Sequence, residues 1–125
     1  MRHQPWRMTF RYAAEGVFYA LRTQVNMRIH VVVALLVIIA GLGLRISRLD
    51  WLFVCVAMAL VIVAELVNTA VEAAVDLISP DIHPLAKAAK DTAAGAVLLA
   101  AVFAVIIGIF VFYSPLLTLI RQLMQ

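Results

Sequence analysis

The sequence predicts an all-α integral membrane protein with three transmembrane helices and an N-terminal interfacial amphipathic helix. Of its 125 residues, 66% are hydrophobic and 14% charged, far more apolar than a soluble domain. Three apolar stretches approach the ~20 residues that a helix needs to cross the hydrocarbon core. Before the first of them, apolar and charged side chains alternate with helical spacing. Residues 1–125 are read as a single membrane domain with no repeat and no useful linker.

The interfacial helix is expected over residues 5–27. Trp6, Phe10, Ala13, Val17, Leu21 and Val25 recur at helical spacing, while Arg7, Arg11, Glu15 and Arg22 fall largely on other faces. Such a helix lies in the membrane interface, its arginines favouring anionic lipid. The segment lacks the apolar core and small-residue cleavage site of a signal peptide.

The first span is expected over 29–48, built on the short apolar run Ile29 to Leu44, which borrows flanking turns. The second, over 51–78, begins as an uninterrupted apolar helix at Leu52. It turns polar at Glu65, about 13 residues or roughly 20 Å further on. Its lone Cys55 reads as a small packing residue. Ser79-Pro80-Asp81-Ile82-His83-Pro84 is the strongest break in the chain, since its prolines cannot continue the helix before them. The third span, over 86–113, has its apolar part from Thr92 to Tyr113. Ala96, Ala100, Ala104 and Gly108 recur in it at steps of four, a small-residue ridge suited to close helix packing.

Charge sets the orientation. Arg2, Arg7, Arg11, Arg22, Arg28, Lys87 and Lys90 flank one side and Arg45, Arg48 and Arg121 the other, seven against three. The N-terminus and the loop before the third span are therefore expected in the cytoplasm.

The feature that asks for a function is Glu65-Leu-Val-Asn68-Thr69-Ala-Val-Glu72-Ala-Ala-Val-Asp76. Three carboxylates and an amide occupy one helical face at steps of 3, 4 and 4. A charge at membrane depth costs roughly 3 kcal/mol on insertion scales, so such groups are read as functional. The stripe opens toward the cytoplasm. Glu72 is nearer the water and suits a hard cation such as magnesium, which takes one or two carboxylates together with phosphate oxygens. Glu65 lies deeper, where it suits a base taking a proton from a lipid hydroxyl. Lys90, across the loop, could meet phosphate as a point charge. No GxxxxGK[ST] sequence is present, so a nucleotide would be held without a Walker loop. Three helices cannot surround this stripe, so a homo-oligomer with sites shared between neighbours is expected. On composition and spacing alone the chain is an oligomeric membrane protein with a cation or phosphate site. A cation-handling transporter or channel component, or a non-catalytic scaffold, fits that description as well as an enzyme does.

Ala64-Glu65-Leu-Val-Asn68-Thr69-Ala-Val-Glu72-Ala-Ala-Val-Asp76 and His83-Pro-Leu-Ala-Lys87-Ala-Ala-Lys90-Asp91-Thr-Ala-Ala-Gly95-Ala-Val97 closely resemble the prokaryotic diacylglycerol kinase and undecaprenol kinase family. The likeness reaches back through Asn26-Met-Arg28-Ile-His30 to about Tyr12. It implies a small homotrimeric kinase of the bacterial cell (inner) membrane that moves the ATP γ-phosphate to a membrane lipid alcohol at sites between subunits. By position, Glu65 looks like the general base and Glu72 like the magnesium ligand, with Asn68 and Asp76 supporting the site. Tyr12, Gln24, Glu72, Asp81, Ile82, His83, Lys90 and Asp91 match positions on the nucleotide side. One departure stands out: the family often has a glutamate, sharing the metal, where this chain has Gln24, which brings no charge. The His83-Pro-Leu-Ala-Lys87 loop looks more like the undecaprenol-preferring members.

Overall fold

The computed structural model describes residues 5–125, and Arg2 of the charge count lies outside them. Four helices follow in order: α1 (Trp6–Thr23), α2 (Val25–Leu44), α3 (Arg48–Ile78) and α4 (Pro84–Leu123). The last three are long and apolar enough to cross a membrane. The described residues contain no strand. α3 and α4 form the main pair, α2 packs on α3 and touches α4, and α1 rests against α2 and α3.

α1 buries only Ala20, leaving Trp6, Phe10, Phe18 and Tyr19 exposed, as a helix in a lipid interface requires. It stops at Thr23, short of the expected boundary at 27. Gln24 has extended backbone (φ −104°, ψ 119°), and its N–H donates to Ala20 O at 2.8 Å. Asn26 and Met27 therefore begin the first span instead of ending the interfacial helix. The β-branched Thr23 and Val25 around Gln24 favour such a break.

α2 closes on Arg45, which holds a left-handed conformation (φ 51°, ψ 51°), with Ile46 N–H reaching Gly41 O at 3.2 Å. The expected span over 29–48 thus begins and ends four residues earlier, because this turn and a capping box at Ser47 separate α2 from α3. Ser47 Oγ accepts from Asp50 N–H at 3.1 Å, while Ser47 N–H donates to Asp50 Oδ2 at 3.3 Å.

Along α3 the buried residues are Val54, Ala57, Val61, Glu65, Asn68 and Thr69, at helical steps of three and four along one face. An apolar packing seam therefore runs straight into the polar stripe. Cys55 is exposed, on a different side of the helix from this seam. α4 answers with Val97, Ala100 and Val111. Of the expected small-residue ridge, Ala100 is buried and Ala104 and Gly108 half-buried, but Ala96 is exposed. Steps of four advance about 40° beyond a full turn each time, so four such positions drift off any straight contact line. α4 also continues past the expected end at 113 to Leu123, through Pro115, whose missing N–H leaves one carbonyl of the preceding turn without its helical partner.

At the end of the bundle remote from the carboxylates, Ile46, Val54 and Val111 pack with Trp51, Met58 and Phe112. Nine hydrophobic residues are buried among those described, while large apolar side chains on every helix stay exposed. In a membrane, lipid or neighbouring protein covers faces of this kind. Gly41 matters to this end: a Cβ there would meet Trp51 Cη2 at 2.8 Å and Ile46 Cδ1 at 3.1 Å, whereas Gly43 has open space around it. Gly41→Val should cost about 1–3 kcal/mol by overpacking and lower the thermal midpoint in detergent micelles by several degrees. Gly43→Ala should leave that midpoint unchanged or raise it.

Candidate functional site

Three elements build the polar end. α3 supplies the stripe, the break between α1 and α2 supplies Gln24, and the turn into α4 supplies the cations. Glu65 is fully buried, and both its carboxylate oxygens lack a hydrogen-bond partner. Its backbone carbonyl is used locally, accepting from Thr69 Oγ1 at 2.8 Å.

Glu72 is half-buried and held from two sides. Gln24 Nε2 donates to its Oε2 at 3.0 Å and Asn68 Nδ2 to its Oε1 at 3.3 Å. Two amide donors on one carboxylate fix its orientation without neutralising it. Asn68 Oδ1 is buried and unpartnered, like the two oxygens of Glu65. Three unmet acceptor atoms thus cluster within a turn of one another on α3. A donor such as a hydroxyl would satisfy them.

Among the described residues no three His, Cys, Asp or Glu side chains gather into a protein-only metal cage. Glu72 with Gln24 forms a more open arrangement, one carboxylate and one amide that can turn its oxygen inward. That donor set fits a hard cation that keeps waters and shares phosphate oxygens.

A cavity of about 310 Å³ opens at the turn between α3 and α4, lined by Asp76, Asp81, Ile82, His83, Lys90 and Asp91 among others. Six of the expected site residues therefore come together here. His83 Nδ1 accepts from Leu85 N–H at 3.1 Å, and Pro84 takes the first helical position, so the turn is capped as α4 starts. Lys90 Nζ lies 2.5 Å from Asp76 Oδ1, joining α4 to α3, and Lys87 pairs with Asp91. Lys90, expected to meet phosphate, has a carboxylate partner in the structure. These pairs are solvent-exposed and worth about 0–1 kcal/mol each, so a phosphate could compete for the lysines. Tyr12 is exposed on α1 and lines neither this cavity nor the next.

The second cavity, about 380 Å³, lies between α2, α3 and α4 and is lined by apolar side chains apart from His30. Sequence reasoning missed it, because its lining comes from three helices whose spacing no single segment reveals. His30 was visible only as part of the Asn26-Met-Arg28-Ile-His30 segment, with no role attached.

Residues 11–112 match the family model of prokaryotic diacylglycerol kinase. The chain is similar to a diacylglycerol kinase of Synechocystis, 47% identical over 113 residues, which are 90% of this chain and 65% of that protein. It is also similar to the undecaprenol kinase of Bacillus subtilis, 41% identical over 86% of this chain and 88% of that protein. A diacylglycerol kinase of Escherichia coli is 30% identical over 82% of this chain and 84% of its own length. A match that runs from within α1 to within α4 and takes in the acidic stripe and Lys90-Asp91 leaves one assignment: the chain belongs to the prokaryotic diacylglycerol kinase family.

Proposed function

We propose that the chain is an ATP-dependent kinase of a membrane lipid alcohol, undecaprenol in preference to diacylglycerol, that transfers the ATP γ-phosphate directly to the lipid hydroxyl. The observation that carries this reading is Glu65: a fully buried carboxylate with no partner on either oxygen, on the same helical face as an anchored Glu72. A base for a lipid hydroxyl has to sit where lipid can reach it, and Glu65 stands at the junction of the apolar seam and the polar stripe. Family membership and the lipid kinases among the relatives support the same chemistry.

In this account the lipid hydroxyl lies against Glu65 and Asn68, loses its proton to the Glu65 carboxylate, and attacks the γ-phosphorus in line. No covalent phosphoenzyme forms, and positioning with charge neutralisation supplies most of the rate. The triphosphate would lie from Glu72 toward the cavity of Asp81, Ile82, His83, Lys90 and Asp91, with Asp76 orienting Lys90 and Tyr12 closing from α1. Glu72 and Gln24 would hold magnesium, whose charge offsets that of the phosphates when it is bound. The His83-Pro84-Leu85-Ala86-Lys87 loop and the likeness to the undecaprenol kinase over 88% of its length support the preferred lipid.

The protein would sit in the bacterial inner membrane with its N-terminus and site cytoplasmic, on the seven-to-three bias of Lys and Arg. A homotrimer with sites between subunits would cover the exposed apolar faces and enclose a stripe that one chain leaves partly open.

Three outcomes follow. With labelled ATP and a panel of undecaprenol, diacylglycerol and ceramide in mixed micelles, Glu65→Gln should cut lipid phosphate formation about 100-fold or more while the oligomer survives. Retained turnover would remove Glu65 from the mechanism. Glu72→Ala should abolish activity, and Gln24→Glu should lower the magnesium concentration for half-maximal rate. An unchanged magnesium dependence in Gln24→Glu would refute the pairing of these two residues at the metal. Finally, co-assembling Glu65→Gln subunits with Tyr12→Ala or Lys90→Ala subunits, each inactive alone, should restore part of the wild-type rate. Verified mixed oligomers that stay inactive would mean that each subunit works alone.

A further inference from the structure

α4 is longer than a membrane crossing needs. Its 40 residues run about 60 Å, roughly twice the hydrocarbon thickness, and the apolar part from Thr92 to Tyr113 already covers about 33 Å. Packing fixes where the far surface lies. Val111 is buried with Ile46 and Val54, Phe112 and Trp51 pack on the same cluster, and Ile46 stands in the turn between the exposed Arg45 and Arg48. The chain beyond Tyr113 is therefore at or past the membrane boundary remote from the carboxylate stripe. It also lies beyond residues 11–112, which match the family model. Its pattern is not that of a solvated tail. At about 100° per residue, Ser114, Thr118, Arg121, Gln122 and Gln125 share one narrow face, and Leu116, Leu119, Ile120, Leu123 and Met124 occupy the opposite one. No part of the chain covers that apolar face: Ile120 is 51%, Leu123 78% and Met124 82% exposed. Two local features loosen the helix where it would have to turn. Pro115 offers no N–H to the carbonyl four residues before it, and Thr118 Oγ1 donates to Ser114 O at 3.1 Å, a bond that favours bending.

We propose that residues 114–125 form a second interfacial helix, which turns at Pro115 and lies in the headgroup layer of the leaflet opposite the carboxylate stripe. Its Leu116, Leu119, Ile120, Leu123 and Met124 face rests on the acyl chains, and Arg121 reaches lipid phosphate. Lipid is the occupant that fits. The apolar face continues the lipid-exposed side of the span above it, where Ile109 and Tyr113 are exposed, and the one charge in the segment has the sign that phosphate attracts. The proposal does not depend on the kinase reading. With α1 at the carboxylate end, the bundle then carries an interfacial helix at each surface. The depth of α4, whose other end holds Lys90 and Asp91, is fixed from the far side.

Nitroxide depth measurements on the full chain test this. In a Cys55→Ala background, Leu116→Cys, Ile120→Cys and Leu123→Cys probe the apolar face and Thr118→Cys, Gln122→Cys and Gln125→Cys the polar one. All six positions are exposed, so a label displaces no packed side chain. In vesicles of phosphatidylglycerol and phosphatidylethanolamine, labels on the apolar face should meet oxygen more readily than a water-soluble nickel complex, at a depth of about 5–10 Å. Labels on the polar face should show the reverse preference. Arg121→Glu should bring the apolar-face labels nearer to water in these anionic vesicles, and an unchanged depth would overturn the contact of Arg121 with lipid phosphate. If all six labels met the nickel complex alike, the segment would be a tail in water, and if all six met oxygen alike, it would be a continuation of the span. Apolar-face labels shielded from both reagents and broadened by neighbouring labels would mean pairing with a second copy of the chain. Each of these three results overturns the proposal.

Discussion

Everything at the working end of this molecule depends on keeping one carboxylate, Glu65, out of water and unpartnered. Burying such a group at membrane depth costs roughly 3 kcal/mol on insertion scales, and each unsatisfied acceptor adds to that cost. The surrounding helices absorb it. α3 is anchored at its far end by the Ser47–Asp50 capping box and by packing of Val54 and Trp51 against Val111 and Ile46. The stripe beyond Val61 is thereby held against α4 whether or not its own polar groups are satisfied. In the proposed function, an incoming hydroxyl would satisfy the unmet acceptors of Glu65 and Asn68.

Gln24 connects this site to the membrane surface. It is the residue at which α1 leaves the direction of α2, and its side chain reaches across 48 positions of sequence to Glu72. The residue at the break after the interfacial helix thus also supplies one of the two amide donors that orient Glu72. A glutamate at this position would repel Glu72 until a cation came between them. The amide instead holds the two elements together by itself, so the polar end is preorganised by hydrogen bonds before any ligand arrives.

Much of this was legible in the sequence. The three spans, the amphipathic N-terminus and the acidic stripe each follow from a local period, because α-helices in lipid satisfy their own backbone and leave pattern as the main variable. Asp81, Ile82 and His83 share one cavity with Lys90 and Asp91 because the turn that holds the first three is short and the other two follow in the first turns of α4. What sequence could not show depends on distance between helices. The break at Gln24 is fixed by a partner on α3, the exposure of Ala96 by the drift of α4 against its neighbour, and the pairing of Lys90 with Asp76 by the closure of α3 on α4.

The most direct test of the central claim is to find where the lipid hydroxyl rests. A lipid alcohol carrying a small alkyl diazirine beside its hydroxyl, photolysed with the wild-type protein in the presence of a non-hydrolysable ATP analogue, should label Glu65 or the turn of α3 around it. Excess unmodified lipid alcohol should suppress that labelling. Labelling confined to the Asp81–Asp91 turn, or insensitive to the competing lipid, would contradict the assignment of Glu65 as the group that meets the substrate.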